Sequence, residues 1–148
     1  MGSDMKNLRT NCTFGCLLAA VLVAGPTWAL ADEGERMTGR GKQLFMDHCA
    51  SCHGASGEGS GPVAPFLTIS PTDLTRISER NDGAFPFLKV FQIIDGRTGV
   101  RAHGDTQMPV WGGAFKAEAG DSYGPYGGEE FVRARITALT FYVQSIQD

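Results

Sequence analysis

Cysteine, net positive charge and long apolar runs are all scarce in this 148-residue chain, and each scarcity closes off a class of function. The one long apolar run, Phe14–Ala24, follows the basic residues Lys6 and Arg9 and is broken by Gly25-Pro26. Small residues at Ala29 and Ala31 then offer cleavage positions, so residues 1–31 are expected to be a secretory signal cut before Asp32, with 32–148 as one mature domain. The competing reading, an uncleaved anchor, needs about 20 apolar residues, and this run is shorter. No second apolar span follows, so no membrane span is expected after cleavage. Removing the leader takes Lys6, Arg9 and Asp4 from the 13 basic and 16 acidic side chains, leaving 11 and 15, a net charge of −4. Without a basic patch, nucleic acid is not expected as a partner.

The leader also removes Cys12 and Cys16 from the four cysteines, leaving Cys49 and Cys52 in a compartment that oxidises thiols. A disulfide across so few residues closes a tiny loop and stabilises little. Something else is expected to hold the pair.

Strand alternation, internal repeats and low-complexity tracts are missing too, and what remains is helical punctuation. Thr38 is placed to cap a helix running to about Cys49, with Leu44 and Phe45 facing inward, after a polar leader over 32–37. The Gly- and Pro-rich stretch 54–67 reads as a loop. Ser70-Pro71 has the form of a cap followed by Pro at the first helical position, predicting a short helix through Ile77. Phe87, Val90, Phe91 and Ile94 share a helical spacing over 86–95, with Gly96 placed for a left-handed cap. Residues 97–128 are expected to be mostly loop. Glu129 and Glu130 suit a helix start, and Val132, Ile136, Leu139, Val143 and Ile146 form an apolar stripe over 129–147. The fold class expected is all-α.

The sequence CASCHG, Cys49 to Gly54, carries the chemistry. Cys-x-x-Cys-His is the attachment signature of c-type haem. Two thiols on one helical turn match the porphyrin's two vinyl groups, and the next residue, His53, brings an imidazole under the iron. A structural zinc site would need four ligands, and no other mature cysteine exists; His48 and His103 are not suitably paired. A thioredoxin-like dithiol would need a neighbouring βαβ pattern, which is missing. The sixth iron ligand is sought in "MPVWG": Met108 offers a soft thioether, and Pro109 stiffens a non-helical loop. His103 is its rival. Met37 and Met46 lie too near the attachment site in sequence, and His48 reads as a surface or haem-edge residue.

With these residues the chain resembles the class I monohaem cytochromes c over about 37–148. The resemblance rests on "GKQLFMDHCASCHG", with Gly41, Phe45 and Cys49 each four apart, and on "LTFY" with Leu139 and Tyr142. It implies four to five helices wrapped around one covalently bound haem c, with the N- and C-terminal helices crossing at Gly41. It implies a proline carbonyl bonded to the His53 imidazole, best matched by Pro62, with Pro65 as alternative. Phe87, Val90, Phe91 and Ile94 are expected to line the pocket, and Arg97, Arg101 and Trp111 are candidates for holding a propionate. The expectation is a periplasmic one-electron carrier, Fe(III)/Fe(II) with His53/Met108 ligation, exchanging electrons with a respiratory donor and acceptor. A haem enzyme or gas sensor with a displaceable sixth ligand, and a dedicated subunit of a larger respiratory oxidoreductase, are the rival readings. The stretch 112–128 is longer than the family's core requires and reads as a solvated connector or a docking loop.

Overall fold

The computed structural model describes residues 28–97 and 108–148. Among the described residues five helices carry the fold: α1 Trp28–His48, α2 Ala50–His53, α3 Phe87–Asp95, α4 Trp111–Ala119 and α5 Gly124–Ser145. Single 3-10 turns occur at Ala64–Phe66 and Glu79–Asn81. No strand occurs among the described residues, in accord with the expected fold class.

The central contact is α1 against α5. Gly41 is buried there, and a Cβ on it would fall on the Ala138 carbonyl and 2.8 Å from the Tyr142 Cβ. Hydrogen in place of a side chain therefore sets how closely the two backbones approach. One turn on, Phe45 packs on Tyr142 with ring centroids 5.1 Å apart. The stripe expected on α5 is the core: Val132, Ile136, Leu139 and Val143 are all buried, with Ile146 packed at its edge.

Four element boundaries differ from expectation. Helix α1 starts ten residues before Thr38, through the supposed polar leader and across the expected cleavage point. There Arg36 pairs with Glu33 at 2.7 Å and Asp32 at 3.4 Å, the i,i+3 and i,i+4 contacts that support an exposed helix. Residues 70–77 form irregular chain running into a turn at 75–77 instead of a helix, because their backbone groups are engaged elsewhere. Leu74 donates to the Gly57 carbonyl, and the Asp73 carboxylate accepts from the Thr75 N–H and hydroxyl, a local turn that competes with helix. Within the stretch expected to be loop, α4 forms, and it buries Phe115 and Ala119. Finally, α5 begins at Gly124, with Pro125 in its first turn and Tyr123 stacked 4.9 Å from Phe131. The connector reading of 112–128 is thereby replaced by a helix packed on α5. Helix α3 ends as expected, with Gly96 left-handed at φ 67°.

Candidate cofactor-binding site

The end of α1 and the single turn α2 present Cys49, Cys52 and His53 to one cavity of about 490 Å³. The size lies within the range of small-molecule sites, about 300–1,000 Å³. Its walls are largely apolar: Val90, Ile93 and Ile94 from α3, Leu139 and Val143 from α5, and Leu74 and Ile77 from the turns. Met108, Pro109 and Trp111, where the chain enters α4, complete the wall. Two thiols, an imidazole and a thioether thus share one greasy chamber.

Burial pushes the Cys49 thiol up to about 12, with the neighbouring Cys52 adding to the effect. Both cysteines are unbridged. His53 Nδ1 lies 3.0 Å from the Thr72 carbonyl oxygen. A carbonyl only accepts, so Nδ1 carries the proton, and in the neutral ring the lone pair sits on Nε2.

The Thr72 carbonyl therefore does what was expected of Pro62. Pro62 and the alternative Pro65 are exposed and do not line the cavity. The glycine-rich loop explains why: Gly59 donates to the His53 carbonyl and Gly61 to that of Cys52, so the loop folds back under α2 and hands the imidazole to the 70–74 segment. The Thr72 segment is itself anchored. Gln147 donates to the Leu74 carbonyl at 2.7 Å and accepts from the Ser78 N–H at 2.8 Å, while the Arg80 guanidinium donates to the Asp73 carbonyl.

Of the other residues singled out, Trp111 lines the cavity and Arg97 does not. Arg97 is committed to Asp95 and Glu129. Arg101 and His103 lie outside the described residues. Val90 and Ile94 face the cavity, whereas Phe87 and Phe91 do not line it; Phe87 packs on Phe141 at 4.9 Å. His48 is a wall residue, set 5.2 Å from Trp111 and 5.4 Å from Phe115. Sequence reasoning missed Arg80, Asn81 and Lys89, which add two cations and an amide to the wall. They sit in turns and on a helix with nothing periodic to flag them. Thr72 acts through its backbone, which no residue type signals.

The donor set fits a covalently held porphyrin. The thiol pair and imidazole are at one wall, apolar side chains supply the dry faces, and Arg80 and Lys89 supply cations for carboxylates. Among the described residues no group of three or more His, Cys, Asp or Glu side chains is arranged to hold a metal ion by itself. No helix among them is long and apolar enough to cross a membrane.

A family model described as Cytochrome c matches residues 39–147. Curated relatives from Mycobacterium bovis and Mycobacterium tuberculosis, each named "Cytochrome bc1 complex cytochrome c subunit", are 34% identical over 97% of this chain and 44% of their own length. The chain thus spans less than half of the relatives it matches. No solved structure gave a significant match.

Proposed function

The chain belongs to the cytochrome c family, whose proteins bind haem c covalently and transfer electrons, and from that premise we propose that it is an exported one-electron carrier with His53 and Met108 as axial ligands. The observation that carries the proposal is the single cavity walled by Cys49, Cys52, His53 and Met108 together. Haem c, when bound, supplies the Fe(III)/Fe(II) couple. The protein's residues do the rest. Cys49 and Cys52 fix the ring by thioether bonds, so it cannot dissociate. The Thr72 carbonyl orients the His53 imidazole and raises its basicity. The Met108 sulfur, a neutral soft donor, favours the reduced state and raises the potential. Arg80 and Lys89, which line the cavity where Arg97 does not, would hold the porphyrin's carboxylates. The aliphatic wall excludes water, and lower polarity likewise tunes the potential.

Three measurements test the proposal. A pyridine haemochrome spectrum, with added mass on the peptide spanning Cys49 and Cys52, checks the attachment. Met108→Ala is expected to keep the haem, lose the iron–sulfur charge-transfer band and lower the potential by on the order of 0.1 V, within the roughly 0.8 V that axial ligation commands. An unaltered potential would assign the ligand to His103 instead. The mass of the protein recovered from the periplasm checks export and cleavage before Asp32.

The similarity to proteins named as subunits of a bc1 complex favours a second arrangement, in which this domain serves inside a larger respiratory assembly rather than as a free shuttle. Size-exclusion of the native material separates the two: a free shuttle elutes as a small monomer, a subunit with its partners.

A further inference from the structure

The Thr72 carbonyl that meets the His53 Nδ1 at 3.0 Å belongs to a short irregular stretch, with no helix or strand to hold it. Its direction is fixed by the next peptide plane, Asp73–Leu74. A peptide unit is rigid, and only the two soft dihedrals of Asp73 separate the two planes. The Asp73–Leu74 plane is held at both ends. Its N–H, on Leu74, donates to the Gly57 carbonyl at 2.7 Å, and its carbonyl, on Asp73, accepts from a terminal nitrogen of Arg80. With the carbonyl end released, the plane can tilt, and the Thr72 oxygen tilts with it.

Arg80 is also a wall residue of the cavity. It sits in the 3-10 turn Glu79–Asn81, and its own N–H donates to the Arg76 carbonyl at 3.2 Å. The neighbouring cation is used differently. The Arg76 guanidinium is forked onto the Glu79 carboxylate, both side chains are more than half exposed, and Arg76 does not line the cavity. A guanidinium presents five N–H donors in one planar fork. One nitrogen of Arg80 is on the Asp73 carbonyl, and the same rigid group faces the chamber where the porphyrin's carboxylates would be held.

We propose that Arg80 is a positioning residue for the proximal imidazole: by bridging a porphyrin carboxylate and the Asp73 carbonyl, its guanidinium keeps the Thr72 oxygen aimed at the His53 Nδ1–H. This inference rests on the proposed haem attachment with His53 as an iron ligand. A carboxylate gripped by the fork restrains the guanidinium, and a restrained guanidinium restrains the peptide plane. The grip on the cofactor and the hydrogen bond on the imidazole therefore strengthen each other. An imidazole bonded to a fixed acceptor also stays more basic than one whose acceptor wanders.

The test follows exchange of the His53 Nδ1–H with deuterated solvent in the reduced holoprotein, by proton NMR. The reduction potential cannot serve alone, since losing the Arg80 charge lowers it while a less basic imidazole raises it. Arg80→Gln is expected to speed the exchange about tenfold, the scale of one lost hydrogen bond to a charged group. It should leave the amide of Leu139, buried on α5, at the wild-type rate. Arg80→Lys, which keeps the charge without the planar fork, should fall between. Arg76→Gln removes the neighbouring cation without touching the Asp73 carbonyl and should match wild type. Wild-type exchange in both Arg80 variants overturns the positioning role alone. So does an equal acceleration at His53 and at the Leu139 amide, which marks general loosening of the fold. Upfield ring-current shifts of the His53 ring protons report its ligation in the same spectra; their absence from the wild type overturns the ligand reading, and this inference with it. Should Arg80→Gln fail to fold, Arg80→Lys decides: acceleration confined to the His53 proton supports the role, and a wild-type rate overturns it.

Discussion

Gly41 offers the sharpest test of how the scaffold holds the site. A Cβ built on it meets the Ala138 carbonyl oxygen, the carbon behind it and the Tyr142 Cβ. Two of these atoms are backbone of the opposing helix, so no rotamer change clears them and α1 must move off α5. Gly41→Ala gains about 1 kcal/mol of helix propensity. It incurs an overpacking cost of about 3 kcal/mol, the upper end of the usual range, because backbone has to yield. The net expectation is a loss of about 2 kcal/mol, a Tm roughly 6–12 °C lower for a domain of this size. Gly39 lies on the same helix with nothing within 4 Å of its Cβ position. Gly39→Ala keeps the propensity gain alone and should add up to about 1 kcal/mol. Guanidinium unfolding of both holoproteins, followed by far-ultraviolet circular dichroism and by the cofactor's absorbance, measures the difference. Equal midpoints for the two variants would refute the crossing geometry, because the same substitution two residues apart would then cost the same.

Cys49→Ala combined with Cys52→Ala should yield a colourless chain with no added mass and most of its helical dichroism lost, since the wall of the cavity would have nothing to pack on. Gln147→Ala removes two hydrogen bonds to the 74–78 segment and should destabilise by roughly 1–3 kcal/mol; it should also raise the potential, because a looser Thr72 carbonyl makes His53 less basic. Arg97 holds the Glu129 carboxyl down to about 2 from its ordinary 4.5. A depressed carboxylate contributes stability above its unfolded value that is lost as pH falls through its folded one, so between about pH 4.5 and 2 the wild type should lose stability that Glu129→Gln, already lacking it, does not. Acid titration of both proteins by circular dichroism checks this.

The all-α class, the crossing at Gly41, the α5 stripe and the α3 cap at Gly96 were legible because each rests on a local or periodic signal. Cys49, Cys52 and His53 were legible as a contiguous motif, and Met108 and Trp111 reached the cavity where the Met-Pro pair suggested. The rest depended on tertiary context. Ser70-Pro71 has the composition of a helix start, yet Leu74 and Thr72 give their backbone groups to Gly57 and His53. Helix α4 hid behind its glycines, because Gly112 is there to sit against Asp95 rather than to break structure. Arg97 looked like a propionate donor by type, but two carboxylates distant in sequence claim it.

Gly41 and Ala138 meet although 97 positions separate them, so the polypeptide closes on itself as a ring with a noncovalent join. The loop bearing Phe66, whose side chain is 86% exposed, lies on the far arc of that ring. A single protease cut there would yield two pieces, each owning one half of the join. The first would carry Cys49 and Cys52 and the second Met108, so nicked protein should stay assembled, and separated pieces should reunite on mixing and restore the spectrum of the uncut form.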